Sequence, residues 1–304
     1  MIKFFPKIKL PYVLIFLLLV CSALYFSKPI KKYFKKEIYV SSAKFDNVYV
    51  LSLDRKPERY EKVSKELAKV GLEHQRFSAS DGYSILAKNL ATGEQTNVKE
   101  MWDRCKSDRL AFKEDRYEIE CSTSPRVTII SGCNTPGEIG VFCSTKRIFK
   151  DIKDNGYKIA LILEDDVTIK KGYETNFKSK IFDLMFKVSK HFDAIYLHAY
   201  FHPNKVYPIE PFSTGPHELW AVNENVNSDI ASGAAFIVTD RFVDKILPSL
   251  DVMELPSDIL ISREIDKAKG DLKVYISPEY IIGPDQYVKS TISEMGRNDS
   301  CECK

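Results

Sequence analysis

The sequence predicts an α/β fold in which helices flank a mostly parallel sheet. Two observations carry this prediction. The body, from about residue 44, alternates short apolar runs with amphipathic stretches, and strands that alternate with helices are typical of parallel sheets. The chain has 304 residues, of which 44% are hydrophobic and 29% charged, so it is long enough for a packed core and unlike a disordered protein.

The first predicted unit is a strand followed by a helix. Residues 47–53 form an apolar run that is typical of a buried strand. Pro57 then opens a helix over 58–70, and Gly71 ends it. Within this helix, the apolar side chains recur at helical spacing, at Tyr60, Val63, Leu67 and Val70.

The later elements continue the alternation. In chain order we expect a helix over 144–155, strands over 158–163, 192–197 and 234–238, a helix over 240–247 and a strand over 273–276. The span 87–136 is polar, contains cysteines and is only weakly periodic. We therefore interpret 87–136 as an insertion or long loop over one edge of the sheet.

The N-terminus is predicted to be a membrane segment. Residues 12–26 carry no charge, and Ser22 is their one clearly polar side chain. We expect a single-pass signal anchor over 1–27 and a basic stalk over 28–43, with a cleaved signal peptide as the alternative. Five lysines follow the apolar run and three precede it, which favours a cytoplasmic body. The amino terminus adds positive charge to the first flank and narrows this difference. The body could therefore instead lie in the Golgi or ER lumen.

Charge and cysteine content bound the function only loosely. Residues 1–40 hold eight lysines and one glutamate, so the remaining 264 residues sum to −4 within the net charge of +3. A mildly acidic body argues against nucleic acid as a partner, because phosphate contacts need a basic face. The seven cysteines leave both redox states open.

The main chemical signal is a run of three acids at the end of a predicted strand. The apolar residues 159–163 lead directly into Glu164, Asp165 and Asp166. Since alternate side chains of a strand share a face, Glu164 and Asp166 should point together and Asp165 away from them. Two adjacent carboxylates repel each other unless a cation joins them. The pattern therefore predicts a divalent cation, Mn²⁺ or Mg²⁺, that bridges a substrate diphosphate; a solvated acidic turn is the alternative.

Four ordered fragments resemble the signatures of glycosyltransferase family 25. They are 48–59 (VYVLSLDRKPER), 77–82 (FSASDG), 137–140 (GEIG) and 161–167 (LILEDDV). The family includes lipooligosaccharide and collagen galactosyltransferases. The resemblance implies an A-type glycosyltransferase fold over 44–292, with 293–304 as a tail.

The same resemblance implies a reaction and its substrates. The donor would be a UDP-sugar, usually UDP-galactose or a relative, and the sugar carbon would be inverted in one displacement. An oligosaccharide, glycolipid or glycoprotein would be the acceptor.

The resemblance also assigns roles to the acidic run. Asp166 would be the principal metal ligand, and Glu164 would assist through the metal or through a ribose hydroxyl. Asp165 would contribute to donor binding.

Further donor contacts are expected from the first two fragments. Arg55 or Arg59 would meet a phosphate, and Asp81 a base or ribose. Arg59 could instead pair with Asp54 or Glu58 on the helix surface, and Asp81 with the following glycine could be an ordinary turn.

An inverting transfer needs a base that takes the proton of the acceptor hydroxyl. Asp258 is the candidate, because it lies in 255–260 (LPSDIL), in the order in which family members place a Pro-x-Asp element. The alternative is that Ser257 and Asp258 merely open a helix. Upstream, Ser232 and Gly233 form a small-residue stretch where the backbone could approach a substrate.

The sequence departs from the family at Thr145, where members commonly have histidine. A non-catalytic, membrane-tethered binding or scaffold protein is therefore the main alternative function. A phosphotransferase is disfavoured, because the chain has neither a phosphate-binding P-loop nor a dinucleotide-binding glycine motif. His198 and His202 have the spacing of a helical metal pair, but Pro203 makes a helix improbable there, and we interpret both as loop residues.

Overall fold

A computed structural model describes the chain at residues 44–107, 115–121, 125–130, 134–188, 192–200, 206–208, 220–222, 230–268, 270–277 and 280–285. Its strands are β1 Asn47–Ser52, β2 Gln75–Ser78, β3 Leu86–Asn89, β4 Gln95–Asn97, β5 Tyr117–Glu120, β6 Arg126–Ile129, β7 Ile159–Glu164, β8 Val167–Ile169, β9 Ala194–Tyr200, β10 Val206–Pro208, β11 Trp220–Val222, β12 Ala231–Thr239, β13 Val252–Met253, β14 Val274–Ile276 and β15 Ile282–Pro284. The helices are α1 Pro57–Lys69, α2 Val98–Ser107, α3 Pro136–Asn155, α4 Phe177–Lys187, α5 Asp240–Ile246 and α6 Ser257–Lys267, with a 3₁₀ helix over Leu247–Asp251.

Eight strands form the main sheet, in the order β10-β11-β14-β9-β12-β7-β1-β2. The pairs β1–β2, β1–β7 and β9–β14 are parallel, whereas β12 runs antiparallel to both β7 and β9. Strand β11 is antiparallel to β14 and to β10. Six of the eight strands run in one direction, in line with the predicted mostly parallel sheet, but β11 and β12 are reversed, so the sheet is mixed. Between β9 and β12, the described residues form the antiparallel pair β10–β11.

The predicted strands and the first helix are confirmed. Their predicted ends differ from the observed ends by three residues or fewer. Helix α1 begins at Pro57, and Gly71 adopts a left-handed φ of 66° just after it. The start predicted for α3 is wrong by eight residues, because this helix begins at Pro136. A capping box between Thr135 and Glu138 satisfies its first backbone N–H groups.

The span 87–136 contains regular structure. Strands β13, β6, β5, β3 and β4 form a second, five-stranded sheet in that order, and α2 follows β4 directly. A disulfide between Cys121 and Cys143 joins the end of β5 to α3. Cys105, in α2, is also disulfide-bonded. This small sheet is therefore anchored covalently to the helix that carries the 137–140 fragment.

The hydrophobic core joins the central strands to the helices on one face of the main sheet. Tyr49 of β1 and Phe236 of β12 belong to the same buried cluster as Phe149 of α3, Phe242 of α5 and Ile261 of α6. The side chains of β7 alternate between this cluster and the opposite face. The central strands are thus covered, and the carboxyl end of β7 is fixed in place by packing.

Several predicted features lie outside the described residues. They are the anchor and stalk over 1–43, His202 and the tail over 293–304. In the part of the chain that the structure describes, no helix combines the length and the apolar character that a membrane crossing requires.

Candidate active site

The three acids lie at the carboxyl end of β7, in the middle of the main sheet. Strand β7 ends at Glu164, and a tight turn through Asp165 and Asp166 leads into β8. Glu164 and Asp166 both line a cavity of about 330 Å³, so the expected grouping of these two side chains is found, although Asp166 lies in the turn and not in the strand. Asp165 instead faces Arg59, with 3.7 Å between its Oδ1 and the Arg59 Nη1.

Burial and mutual repulsion make this run electrostatically costly. Burial, together with the neighbouring charges of Asp166, Asp165 and Asp258, raises the pKa of Glu164 to about 8. Burial likewise raises the pKa values of Asp165 and Asp166, and Arg59 partly offsets the rise at both. The site is therefore short of positive charge.

The carboxylates fit a hard divalent cation that shares its ligands with a substrate. Asp166 Oδ1 is buried and has no hydrogen-bond partner among the described residues. The described ranges hold no group of three or more His, Cys, Asp or Glu side chains arranged around one metal position. Mg²⁺ and Mn²⁺ need few protein ligands, because water and substrate phosphate oxygens complete their shell. Asp166, with Glu164 beside it, can supply such a partial site.

A smaller cavity, of about 70 Å³, also borders the acids. The four sequence fragments that carry the family resemblance all contribute to its wall. The residues from these fragments include Leu53, Arg55, Asp81, Gly82, Gly137, Gly140, Glu164, Asp165 and Asp166. Glu164 and Asp166 therefore border both cavities.

Two glycines allow the walls of the smaller cavity to come together. A Cβ on Gly82 would lie 1.7 Å from the Pro136 carbonyl oxygen, and one on Gly140 would lie 2.6 Å from that of Ser80. The side chain of Ser144 joins the same contact, because its Oγ accepts a 2.8 Å hydrogen bond from the Ser80 N–H. The turn after β2 thus packs directly on the first turns of α3.

The arginine and aspartate candidates of this cavity are paired with each other. Arg55 Nε donates to Asp81 Oδ2 at 2.7 Å, and the other Asp81 oxygen accepts from the Tyr83 N–H at 3.2 Å. Asp81 is therefore both a turn residue and part of the cavity wall. The alternative of a surface pair for Arg59 is wrong, because its side chain is 10% exposed and faces Asp165.

Asp258 lies in the larger cavity, on the first turn of α6. Its Oδ2 accepts a 3.2 Å hydrogen bond from the Ser232 N–H, and its Oδ1 accepts one of 2.9 Å from the Ile259 N–H. Because α6 begins at Ser257, Asp258 both opens a helix and faces the cavity. Thr145 lines the same cavity, and its hydroxyl donates to the Val141 carbonyl at 2.9 Å.

The backbone beside Asp258 is strained. Ser232 has a φ of 116°, the one positive value at a non-glycine residue in the described part of the chain, and such a conformation costs about 1–3 kcal/mol. Strand β12 also has a bulge here. Ala231 pairs with Tyr200 and Ala235 with His198, so β12 advances by four residues where β9 advances by two. Gly233 lies within the bulge, where a Cβ would be 3.4 Å from Glu164 Oε1.

Sequence reasoning missed three side chains that support the site. His198 lies on β9 rather than in a loop, so that prediction is wrong; it is 5% exposed, with its Nδ1 3.1 Å from Ser232 Oγ. Asp285 follows β15, and its N–H donates to the Asp166 carbonyl at 2.6 Å. Lys62 of α1 forms an ion pair with the Asp285 carboxylate. No local pattern links these residues, because their partners are remote in sequence.

Fold and site together define an α/β protein with two adjoining cavities that share half-buried carboxylates. The sequence profile of glycosyltransferase family 25, described as an LPS biosynthesis protein family, matches residues 45–261. The chain belongs to glycosyltransferase family 25.

Its curated relatives are distant and much longer. A glycosyltransferase 25 family member of Drosophila pseudoobscura pseudoobscura is 28% identical over 49% of this chain and 20% of its own length. Mouse procollagen galactosyltransferase 2 is 26% identical over 50% of this chain and 20% of its own. A human protein named inactive glycosyltransferase 25 family member 3 is 28% identical over 50% of this chain and 22% of its own length. The matched stretch thus spans about a fifth of each relative.

Solved structures resemble the chain only weakly. A UDP-glucose pyrophosphorylase from Acinetobacter baumannii overlaps 77% of this chain and 86% of its own, with 11% identity and a TM-score of 0.37. This likeness is too loose to bear on function.

Proposed function

We propose that the protein is a glycosyltransferase with an A-type fold that moves a sugar, galactose, from a UDP-sugar to a hydroxyl of an oligosaccharide, glycolipid or glycoprotein. The observation that carries the proposal is that two cavities meet at Glu164 and Asp166, with Asp258 on the larger side. Donor and acceptor bound in the two cavities would therefore meet at the same carboxylates. The choice of galactose rests on the name of the mouse relative.

The smaller cavity and the acids are assigned to the donor. Arg55, on the wall of the smaller cavity, would face phosphate oxygens, and Asp81 would accept from a base or ribose. Arg59, which faces Asp165, would add positive charge nearby. Asp166 and Glu164 would hold Mn²⁺ or Mg²⁺, and Asp165 fixes Arg59 beside them. When bound, the cation supplies Lewis-acid stabilisation of the departing diphosphate.

Asp258 is assigned to the acceptor as general base. The acceptor oxygen attacks the anomeric carbon, the bond from that carbon to the diphosphate breaks, and the acceptor proton passes to the Asp258 carboxylate. Backbone N–H groups hold both carboxylate oxygens, so the group is oriented before the acceptor arrives.

The test is release of UDP by the full chain from a panel of UDP-sugars, with mixed glycan acceptors and Mn²⁺ or chelator. We expect one donor to be turned over, UDP-galactose, in a metal-dependent manner. Asp166→Ala should abolish the release, and Asp103→Ala, an exposed change on α2, should leave it unchanged. Turnover that persists in chelator and in Asp166→Ala contradicts the metal role.

A non-catalytic function is the second candidate. Thr145 lines the acceptor cavity where the family commonly has histidine, and the human relative carries the name inactive. A folded protein that binds UDP with Mn²⁺ but turns over none of the donors would favour this alternative.

We further propose that the domain works on the oxidising side of a membrane, tethered by the segment over 1–27. The Cys121–Cys143 disulfide supports this location, because structural disulfides persist mainly outside the cytosol. Alkylation of the unreduced protein should leave both cysteines unlabelled. Labelling of either one in material isolated from cells contradicts the location.

A further inference from the structure

His198 is the one buried histidine next to the proposed acceptor cavity in the described residues. Its ring is held on several sides: the Tyr280 ring centroid lies 4.5 Å away, that of Tyr200 5.1 Å, and a Cβ on Gly283 would come within 2.8 Å of its Cδ2. The imidazole therefore has little freedom to move. Burial also lowers its pKa, which favours the neutral form of the ring.

The fixed imidazole contacts the strained residue of β12. Ser232 Oγ lies 3.1 Å from His198 Nδ1 and accepts a 3.2 Å hydrogen bond from the Ala234 N–H. The Ser232 hydroxyl proton can then be donated to Nδ1. Both contacts hold the side chain of a residue whose φ of 116° is unfavourable by itself.

The strained backbone in turn orients the proposed base. The Ser232 N–H donates to Asp258 Oδ2 at 3.2 Å, and the bulge that aims it there begins opposite Tyr200 and His198. Bulges of this kind commonly redirect groups beside active sites. If Ser232 relaxed to an ordinary φ, its N–H would turn away from the carboxylate.

We propose that His198 is a positioning residue, which acts through Ser232 to hold the β12 backbone in the conformation that orients Asp258. The proposal rests on the role of Asp258 given above. His198 does not touch the reacting atoms in this scheme, and Tyr280 and Gly283 fix the ring from behind.

The test compares His198→Phe, which keeps a ring but loses the hydrogen bond, with His198→Asn, whose amide can replace Nδ1. We expect His198→Phe to lower kcat by about 10–100-fold with an unchanged donor KM, because small misplacements of a base are costly. His198→Asn should recover most of that loss. Ser232→Ala should lower kcat similarly, and the double variant His198→Phe/Ser232→Ala should lose no more than either single change.

His74→Phe is the matched control, because His74 also bonds a serine, Ser64, at 2.9 Å but lies on the chain segment after α1. If the kcat of His198→Phe falls only in proportion to the fraction of unfolded protein, as we expect for His74→Phe, the proposal is overturned. Crystal structures of the wild type and of His198→Phe provide a readout that needs no turnover. The Ser232 N–Asp258 Oδ2 distance should exceed 3.5 Å in the variant; an unchanged distance overturns the positioning role, even if no donor is ever turned over.

Discussion

Single glycines set the shape of the proposed donor cavity. Gly140 lies in α3, where a glycine ordinarily destabilises a helix by about 1 kcal/mol relative to alanine. Here any Cβ would meet the Ser80 carbonyl at 2.6 Å and the Gly82 N at 3.0 Å. Close packing of the Asp81–Gly82 turn on the helix therefore outweighs helix propensity at this position.

Gly140→Ala should consequently destabilise the protein, although propensity alone predicts a gain. Overpacking against backbone costs about 1–3 kcal/mol, which exceeds the propensity term. The free energy of unfolding from urea titration measures the difference. Lys150→Ala, on an exposed part of the same helix, should change it by about 0.5 kcal/mol or less. A more stable Gly140→Ala variant would mean that the turn does not rest on α3.

At the residue scale, the sequence identified groups that sit in local motifs and missed those that act across the fold. Glu164, Asp166 and Asp258 follow recognisable patterns, and all three line the larger cavity. His198 and Asp285 gain their contacts only when β9, β12 and β15 assemble. One-dimensional spacing contains no signal for such contacts.

Among the elements, α1 holds the acidic turn from one face. Arg59, Lys62 and Glu66 lie on the same side of this helix. Arg59 faces Asp165, Lys62 pairs with Asp285, and Glu66 accepts from Thr168 Oγ1 and from the Ile169 N–H, each at 3.0 Å. The helix thus contacts the turn, strand β8 and the residue that directly follows β15.

Glu66→Ala should loosen that arrangement. The variant leaves the Ile169 N–H and the Thr168 hydroxyl without their acceptor, which costs about 1–3 kcal/mol for buried groups and less here, where both are half-buried. We expect about 1 kcal/mol lower stability by urea titration. Glu66→Gln keeps one acceptor oxygen and should lose less, and Glu61→Ala, exposed on the same helix, should lose almost nothing. Equal losses for Glu66→Ala and Glu61→Ala contradict this role of α1.

The elements also mark the limits of prediction by periodicity. Periodicity does not reveal the first part of α3, because Gly137 and Gly140 interrupt the apolar pattern. Thr135 and Glu138 form a capping box, which is the local signal for its start. Periodicity does not reveal the strands of the span 87–136, because each has only three or four residues. Strands this short offer too few alternations to be recognised.

For the whole molecule, the alternation of strands and helices predicted the α/β class but not the sheet order. Strand β12 occupies the position between β7 and β9 and reverses the direction. That position brings Gly233 beside Glu164, and Ser232 into the wall of the same cavity next to Asp258 of α6. Strand order depends on which faces of the elements pack together, and the sequence pattern does not show this. The sequence could therefore suggest Ser232, Gly233 and Asp258 only through the family resemblance.

The convergence of both cavities on two carboxylates predicts a ligand response of the entire domain. UDP and Mn²⁺ together should raise the Tm, because a ligand at 100 times its Kd stabilises by about 2.7 kcal/mol, or about 5–10 °C for a domain of this size. Each alone should give a smaller shift, since Asp166 and the diphosphate complete the metal shell only in combination. Asp166→Ala should abolish the joint shift, and Asp103→Ala should retain it. A non-catalytic family member would still show the shift, so its absence in the folded wild type would count against donor binding itself rather than against turnover alone.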